Sequence, residues 1–297
     1  MRPIVALRRR VVQAGFWQRL WWVFRHSLVM TYRDGCLGTA KAIAYSGLLA
    51  FFPMLTVVAT ILVHANAEAV SRTIARLLFE IVPPGTEQLV ERAFTVRGER
   101  PLYLLIVAML LSIWAAAGAM ASLMEGFRAA YRIPAGRSAV KDRLVAILLV
   151  FFAALPVIGA SALIVFGGRI QGRILTRIGV VAYGEQIQGW VSLLGALINY
   201  AVALATVSFV AALLYHFGPN RPKNWLAVWP GAMVATVLWL AVTSAFAWYV
   251  LNIADYNVLY GSIGAVIALL VWMYLLALVA LIGCEFNAER ERLSRIL

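Results

Sequence analysis

Residues 261–284 read GSIGAVIALLVWMYLLALVALIGC, with no side chain that carries a charge at neutral pH. As an α-helix this stretch reaches about 36 Å at 1.5 Å per residue. That exceeds the roughly 30 Å hydrocarbon core of a bilayer. It is apolar all the way round, so it needs either a large protein core or lipid. Five further runs have the same character: 42–63, 102–124, 144–168, 190–217 and 225–252. The expected fold is therefore all-α, a polytopic membrane protein with six transmembrane helices.

Composition agrees. Charged residues make up 13% of the chain, about half the share usual in soluble domains. Hydrophobic residues make up 63%, more than a water-soluble globule of 297 residues could bury. Lipid removes that requirement, because the surrounding solvent is itself apolar. Three segments are expected. They are an interfacial N-terminal part (1–37), a six-helix membrane domain (38–288) and a short tail (289–297).

The net charge of +13 first suggests nucleic acid. Its distribution points elsewhere. Threading six spans puts 18 of the 26 Lys and Arg residues on the side of the two termini. That side carries about +12 and the other about +1, an asymmetry that the positive-inside rule produces by itself. Both termini are then cytoplasmic. Anionic lipid headgroups suit the basic face, and no nucleic-acid partner is expected. Candidate headgroup contacts are Arg8, Arg9, Arg10, Arg19, Arg25, Arg132 and Arg137.

Two connecting regions carry amphipathic patterns. Trp17, Leu20, Trp21, Phe24 and Leu28 share one helical stripe, with Gln18, Arg19, His26 and Arg33 away from it. Such a helix lies flat in the headgroup layer, packs its stripe on the bundle, or does both. The loop 64–100 holds Val70, Ile74, Leu77 and Ile81 on one face and breaks at Pro83-Pro84-Gly85. It reads as an external helical hairpin, either a lid over the bundle or a gate to a cavity.

Polar residues and prolines inside the runs mark candidate pathway positions. Pro53 and Pro156 each remove a backbone donor, freeing the carbonyls of Leu49 and Phe152. Kinked helices of this kind either line a pathway or are static. Tyr45 and Ser46 precede Pro53, and Asn199 is an amide inside the fourth run. Asn199 serves as helix–helix glue unless it faces a substrate. Asn257 and Tyr260 belong to the last external turn. Glu285 ends the sixth run, and snorkelling to water is its expected fate. The alternative is an ion or proton site facing the bundle interior. Small residues at 115–119 and at Gly261, Gly264 and Ala268 are expected to permit close helix approach.

Catalytic patterns are scarce. The histidines His26, His64 and His216 are far apart, and there is no HExxH, GxSxG or P-loop. Asp142, Arg143 and Glu125 read as a solvated charge group at a loop edge. Cys36 and Cys284 both fall at the cytoplasmic boundary, where a disulfide is not expected. No metal, cofactor or enzymatic activity is expected.

Four stretches resemble one family. Residues 260–288 (YGSIGAVIALLVWMYLLALVALIGCEFNA) run from a Tyr-Gly-Ser start to a Gly-x-Glu-x-Asn-Ala end. AYSGLLAFFPML at 44–55, HFGPNRPKNWLAVWPGA at 216–232 and ADYNVLYG at 254–261 accompany it in order. Together they resemble the YihY/virulence factor BrkB family. One departure is Ser46-Gly47, where the family usually has a second aromatic followed by Thr or Ser. The resemblance implies a six-span bacterial inner-membrane protein with a role in the cell envelope or virulence. A ribonuclease label also attaches to the family, without support from any acid or histidine cluster here.

The expected function is a transporter or exporter of a lipid, another amphiphile or a small solute. The alternatives are a scaffold for envelope enzymes and, less favoured, a membrane enzyme. A homo-oligomer is left open. The topology has a direct test. Fluorescent-protein fusions at Leu297 should glow, and alkaline phosphatase inserted in the 64–100 loop should be active. The reverse pattern would invert the assigned orientation.

Overall fold

A computed structural model describes residues 15–64, 102–133, 138–177, 189–221, 224–252 and 262–295. Among these it contains seven helices: α1 (Phe16–Arg33), α2 (Cys36–His64), α3 (Leu102–Tyr131), α4 (Ala139–Arg177), α5 (Gly189–Phe217), α6 (Trp225–Asn252) and α7 (Ser262–Ser294). Helices α2 to α7 are the six long and apolar enough to span a bilayer. The all-α, six-span fold is the one expected. The loop 64–100 lies outside the described residues except for His64 at the end of α2.

Consecutive spans pack on one another from α2 through to α7, and α7 returns to α2 and α3. Short connections force this neighbour-on-neighbour order. Between α1 and α2 only Asp34 and Gly35 intervene. Gly35 adopts φ +73°, which a side chain would strain, so the chain turns sharply there.

Helix α1 packs on α7 by a face that takes in only Phe24 of its aromatic stripe. The buried face is Val23, Ser27, Met30 and Thr31, while Trp17 is 77% and Trp21 66% exposed. Small polar side chains can face inward here because each hydroxyl is satisfied within α1. Ser27 donates to the Phe24 carbonyl at 2.7 Å, and Thr31 to the Ser27 carbonyl at 2.8 Å. In lipid the large aromatics gain nothing by turning inward, and small residues pack closest. The stripe instead borders an apolar groove of about 460 Å³ against Met233, Val234, Val237 and Leu238 of α6. Trp17 and Trp21 stay outward while Phe24 packs on the bundle, so the stripe is divided between the two expected directions.

The tightest contact joins α6 to α7. A Cβ on Gly283 would stand 2.7 Å from the Gly231 carbonyl oxygen and would collide with the Tyr215 hydroxyl. The two backbones therefore touch, and only glycine permits it at both positions. Pro230 removes one donor from α6 just before this crossing. Asn287 of α7 then engages the α6 backbone from the side. The Gly231 N–H donates to its Oδ1 at 2.8 Å, and its Nδ2 donates to the Val228 carbonyl at 2.9 Å. Tyr215 of α5 donates its hydroxyl to the Ala280 carbonyl at 2.7 Å. Three helices are thus joined by side chain-to-backbone bonds with no water required. The closest approaches fall at these glycines rather than at the small-residue clusters singled out from the sequence, although Ala117 and Ala268 are buried.

Asn287→Ala removes both amide bonds and should cost about 1–3 kcal/mol, read as a lower melting temperature in detergent. Gly283→Val should cost at least as much through overpacking. Unchanged melting of both variants would show that this crossing does not hold the fold together.

Candidate functional site: a polar cleft inside the spans

Arg143 is the fifth residue of α4, and its side chain turns into the membrane domain. Its guanidinium donates to the Trp114 carbonyl at 2.6 Å and lies 5.5 Å from the Trp114 ring centroid. The preceding residue behaves oppositely. Asp142 pairs at 2.8 Å with Arg128, one turn from the end of α3. Trp114 lies 14 residues before Arg128, about 21 Å along the α3 axis. Adjacent side chains of α4 therefore reach in opposite directions along α3, one to its last turns and the other to its middle. A snorkelling arginine would follow the direction of the Arg128 contact, toward headgroups and water. Arg143 takes the other. The expected solvated group of Asp142, Arg143 and Glu125 divides: Glu125 is exposed, Asp142 pairs with Arg128, and half-buried Arg143 reaches along the span to Trp114.

Two more residues complete the cleft. A Cβ at Gly118 would stand 3.7 Å from Arg143 Nη1 and 3.6 Å from Ser46 Oγ. The missing side chain of Gly118 thus leaves only a methyl-sized notch between an α2 hydroxyl and an α4 guanidinium. Tyr45, beside Ser46, is 62% exposed. No carboxylate lies within ion-pair distance of Arg143 among the described residues. One of its donors bonds a carbonyl; a guanidinium has five.

A second polar group closes the end of the bundle where α1 begins and α7 stops. Glu289 is buried and pairs with Arg292 and, at 3.6 Å, with His26, which stacks on Trp22. Arg292 also donates to the Ala130 carbonyl in the last turn of α3, where a cation meets the negative end of the helix dipole. Arg221 pairs with Glu291 at 2.8 Å, tying the α5–α6 connection to α7. Glu285 is fully buried, and neither carboxylate oxygen receives a hydrogen bond from a donor. Its neighbours include Asp34, Arg292 and Glu289. Snorkelling is thereby corrected: the register of α7 turns Glu285 into the bundle, along with Cys284 and Phe286.

The residues singled out from the sequence divide. Ser46 lines the cleft, with Tyr45 beside it. Pro53 and Pro156 lie inside helices that continue past them, α2 and α4. Asn199 is half-buried on α5, which packs on α4 and α6. Glu285 lies away from the cleft. The α7 residue that meets Gly47, beside Ser46, is Met273. Glu285 is 12 residues beyond it, about 18 Å along the axis. Asn257, Tyr260, Arg8, Arg9, Arg10 and Arg137 lie outside the described residues. Arg25 is exposed, Arg19 half-buried, and Arg132 reaches Met30 Sδ at 3.7 Å and Asp34 at 3.9 Å. Cys36 and Cys284 are buried and form no disulfide. No cluster of three His, Cys, Asp or Glu side chains that could hold a metal occurs among the described residues.

Sequence reasoning missed Arg143, Trp114 and Gly118 as a unit, and Asn287 as a backbone clasp. The signal for Arg143 was its position one residue from the start of an uncharged run, next to an acid with its own partner.

The two buried glutamates should respond oppositely to neutralisation. Glu289→Gln breaks a paired carboxylate and should lower stability by about 1–3 kcal/mol. Glu285→Gln replaces a buried carboxyl group that no donor bonds, so it should be neutral or stabilising. Thermal melts of both variants at neutral pH check this, and equal losses would contradict the pairing assigned to Glu289.

Comparison with known proteins places this geometry in a family. A family model described as "Virulence factor BrkB" matches residues 30–295. "Putative ribonuclease-like protein YfkH" of Bacillus subtilis (strain 168) is 29% identical over 267 residues, covering 90% of this chain and 94% of that protein. A "UPF0761 membrane protein" of Alkalilimnicola ehrlichii is 27% identical over 293 residues, where the match spans 63% of the relative's length. Another from Tolumonas auensis is 25% identical, covering 96% of this chain and 87% of the relative. No solved structure matches. Six apolar helices and these relatives together identify a multi-pass membrane protein, in keeping with a bacterial inner membrane. The chain belongs to the virulence factor BrkB family.

Proposed function

We propose that this protein moves an amphiphile, a lipid or lipid-linked precursor, across the membrane, with the cleft between α2, α3 and α4 as part of the route. The observation that carries the reading is Arg143. An arginine within a span is costly, by up to about 2.5–3.5 kcal/mol on insertion scales when it stands at the centre. Such residues are rare and mark substrate paths more often than static contacts. Here the charge faces away from the headgroup layer that would relieve it. A hydroxyl and the Gly118 notch stand beside it. A scaffold has no use for that arrangement, since its partners would meet the basic end from outside the bilayer.

The "ribonuclease-like" name belongs to the Bacillus relative. The cleft offers no carboxylate pair and no nucleophile with an adjacent base, so hydrolysis is not the chemistry it favours. Binding and release are.

Reconstitution tests the proposal. Proteoliposomes holding the full chain should exchange a fluorescent phospholipid between leaflets faster than protein-free vesicles, read by quenching from outside. Arg143→Gln should slow that exchange about ten-fold or more. Exchange no faster than in empty vesicles across several lipid classes would defeat transport and leave the scaffold reading in place.

A further inference from the structure

We infer that the Arg143 cleft is an oxyanion site, and that it takes the phosphate of an acidic amphiphile. The inference rests on the transport reading only for the claim that the bound molecule is cargo; the site itself stands on its own geometry.

Three observations converge. First, the cleft holds a guanidinium without a carboxylate partner among the described residues. A cation left uncompensated among apolar helices attracts an anion strongly, because little water screens it. Second, the guanidinium is held in place. Its bond to the Trp114 carbonyl uses one nitrogen, and the Trp114 ring lies 5.5 Å from its carbon. Those contacts leave Nη1 beside the Gly118 notch. Fixing the plane in advance lowers the entropy lost on binding, and a planar fork suits two oxygens of a phosphate. Third, Ser46 Oγ borders the same notch from α2. A hydroxyl there donates to the same oxyanion that the guanidinium binds.

The surroundings specify the rest of the ligand. Leu110, Leu111, Leu144 and Leu148 are all exposed on α3 and α4. A free anion would have to leave water to reach a cleft with such neighbours. An anion carried on acyl chains does not, because its tails remain in hydrocarbon while its headgroup meets Arg143. The phosphate of a lipid is therefore favoured over free phosphate. Zwitterionic phosphatidylcholine carries the same phosphate with a bulky cation attached, and that cation would lie near Arg143 without a partner in the cleft. Acidic lipids are favoured over it.

Native mass spectrometry of the full-length protein, released from nanodiscs of mixed lipid, tests this directly. Wild type should retain phosphatidylglycerol or phosphatidic acid over phosphatidylcholine by about ten-fold, as expected for a charge-assisted contact. Arg143→Gln should abolish the preference, and Arg143→Lys should keep part of it. Gly118→Leu fills the notch while leaving the arginine, and should also lose retention. Lys141→Gln makes the same charge change on an exposed side chain of α4 and should behave as wild type. Glycerol phosphate and inorganic phosphate at millimolar concentration should not displace the lipid; displacement by either would overturn the lipid source. Equal retention of acidic and zwitterionic lipids by wild type would overturn the oxyanion site, and that arm does not depend on any variant folding. Headgroup-selective retention without leaflet exchange would keep the site and remove the transport reading. Exchange without headgroup preference would do the reverse.

Discussion

Hydrocarbon offers no hydrogen bonds, so each polar group inside these spans must find its partner in the protein. The Asn287 clasp shows how far this constraint reaches. Pro230 weakens the α6 ladder, and next to it Gly231 presents its N–H to the Asn287 amide. That bond requires the helices to approach until Gly231 and Gly283 touch. The approach brings the Tyr215 hydroxyl to the Ala280 carbonyl. Beyond Asn287, α7 continues far enough to place Glu289 between His26 and Arg292. A proline, two glycines and one amide thus set where α7 stands, and α7 in turn meets α1, α2, α3 and α6.

Against this background Arg143 is conspicuous. The buried hydroxyls of Ser27, Thr31, Thr60 and Thr236 all donate to carbonyls of their own helices. Arg128, Arg221 and Arg292 all meet carboxylates. Arg143 meets a carbonyl and an aromatic face, with donors to spare. Among the described residues, Arg128, Arg221 and Arg292 are paired at the basic end, where Glu285 has no donor, and Arg143 stands among α2, α3 and α4 without a carboxylate. That contrast is the basis for proposing that the cleft holds a ligand.

Much of the fold was legible before any coordinates. Uninterrupted apolar length is a strong signal, since nothing but lipid accommodates six such runs. The family motifs were legible as patterns but not as mechanics. Asn287 lies 56 residues from Gly231, and periodicity within a run says nothing about a bond between runs. The stripe of α1 misled in an instructive way. Trp17 and Trp21 look like core by the rules of water, whereas in a bilayer Val23 and Ser27 take that place. Glu285 was ambiguous for a related reason. Its position at the end of a span allows either direction, and only the register of α7 against its neighbours decides. Arg143 looked solvated because it stands at a loop edge beside Asp142; the direction of a long side chain is invisible to sequence.

The central claim is that a cation stands inside the spans in contact with a space that anions can enter. Cysteine chemistry measures that space. Ser46→Cys in a chain with Cys36 and Cys284 replaced by alanine places one thiol against the notch. In intact membranes a thiosulfonate carried on an acyl chain with an anionic headgroup should modify it faster than one with a cationic headgroup on the same chain, because Arg143 favours the thiolate and draws the anion. A cysteine at Leu148, on an apolar part of α4, should react slowly with both. If Ser46→Cys resists the anionic reagent, or the cationic reagent reacts faster, the cleft is sealed or its field is not that of an unpaired arginine, and the account fails.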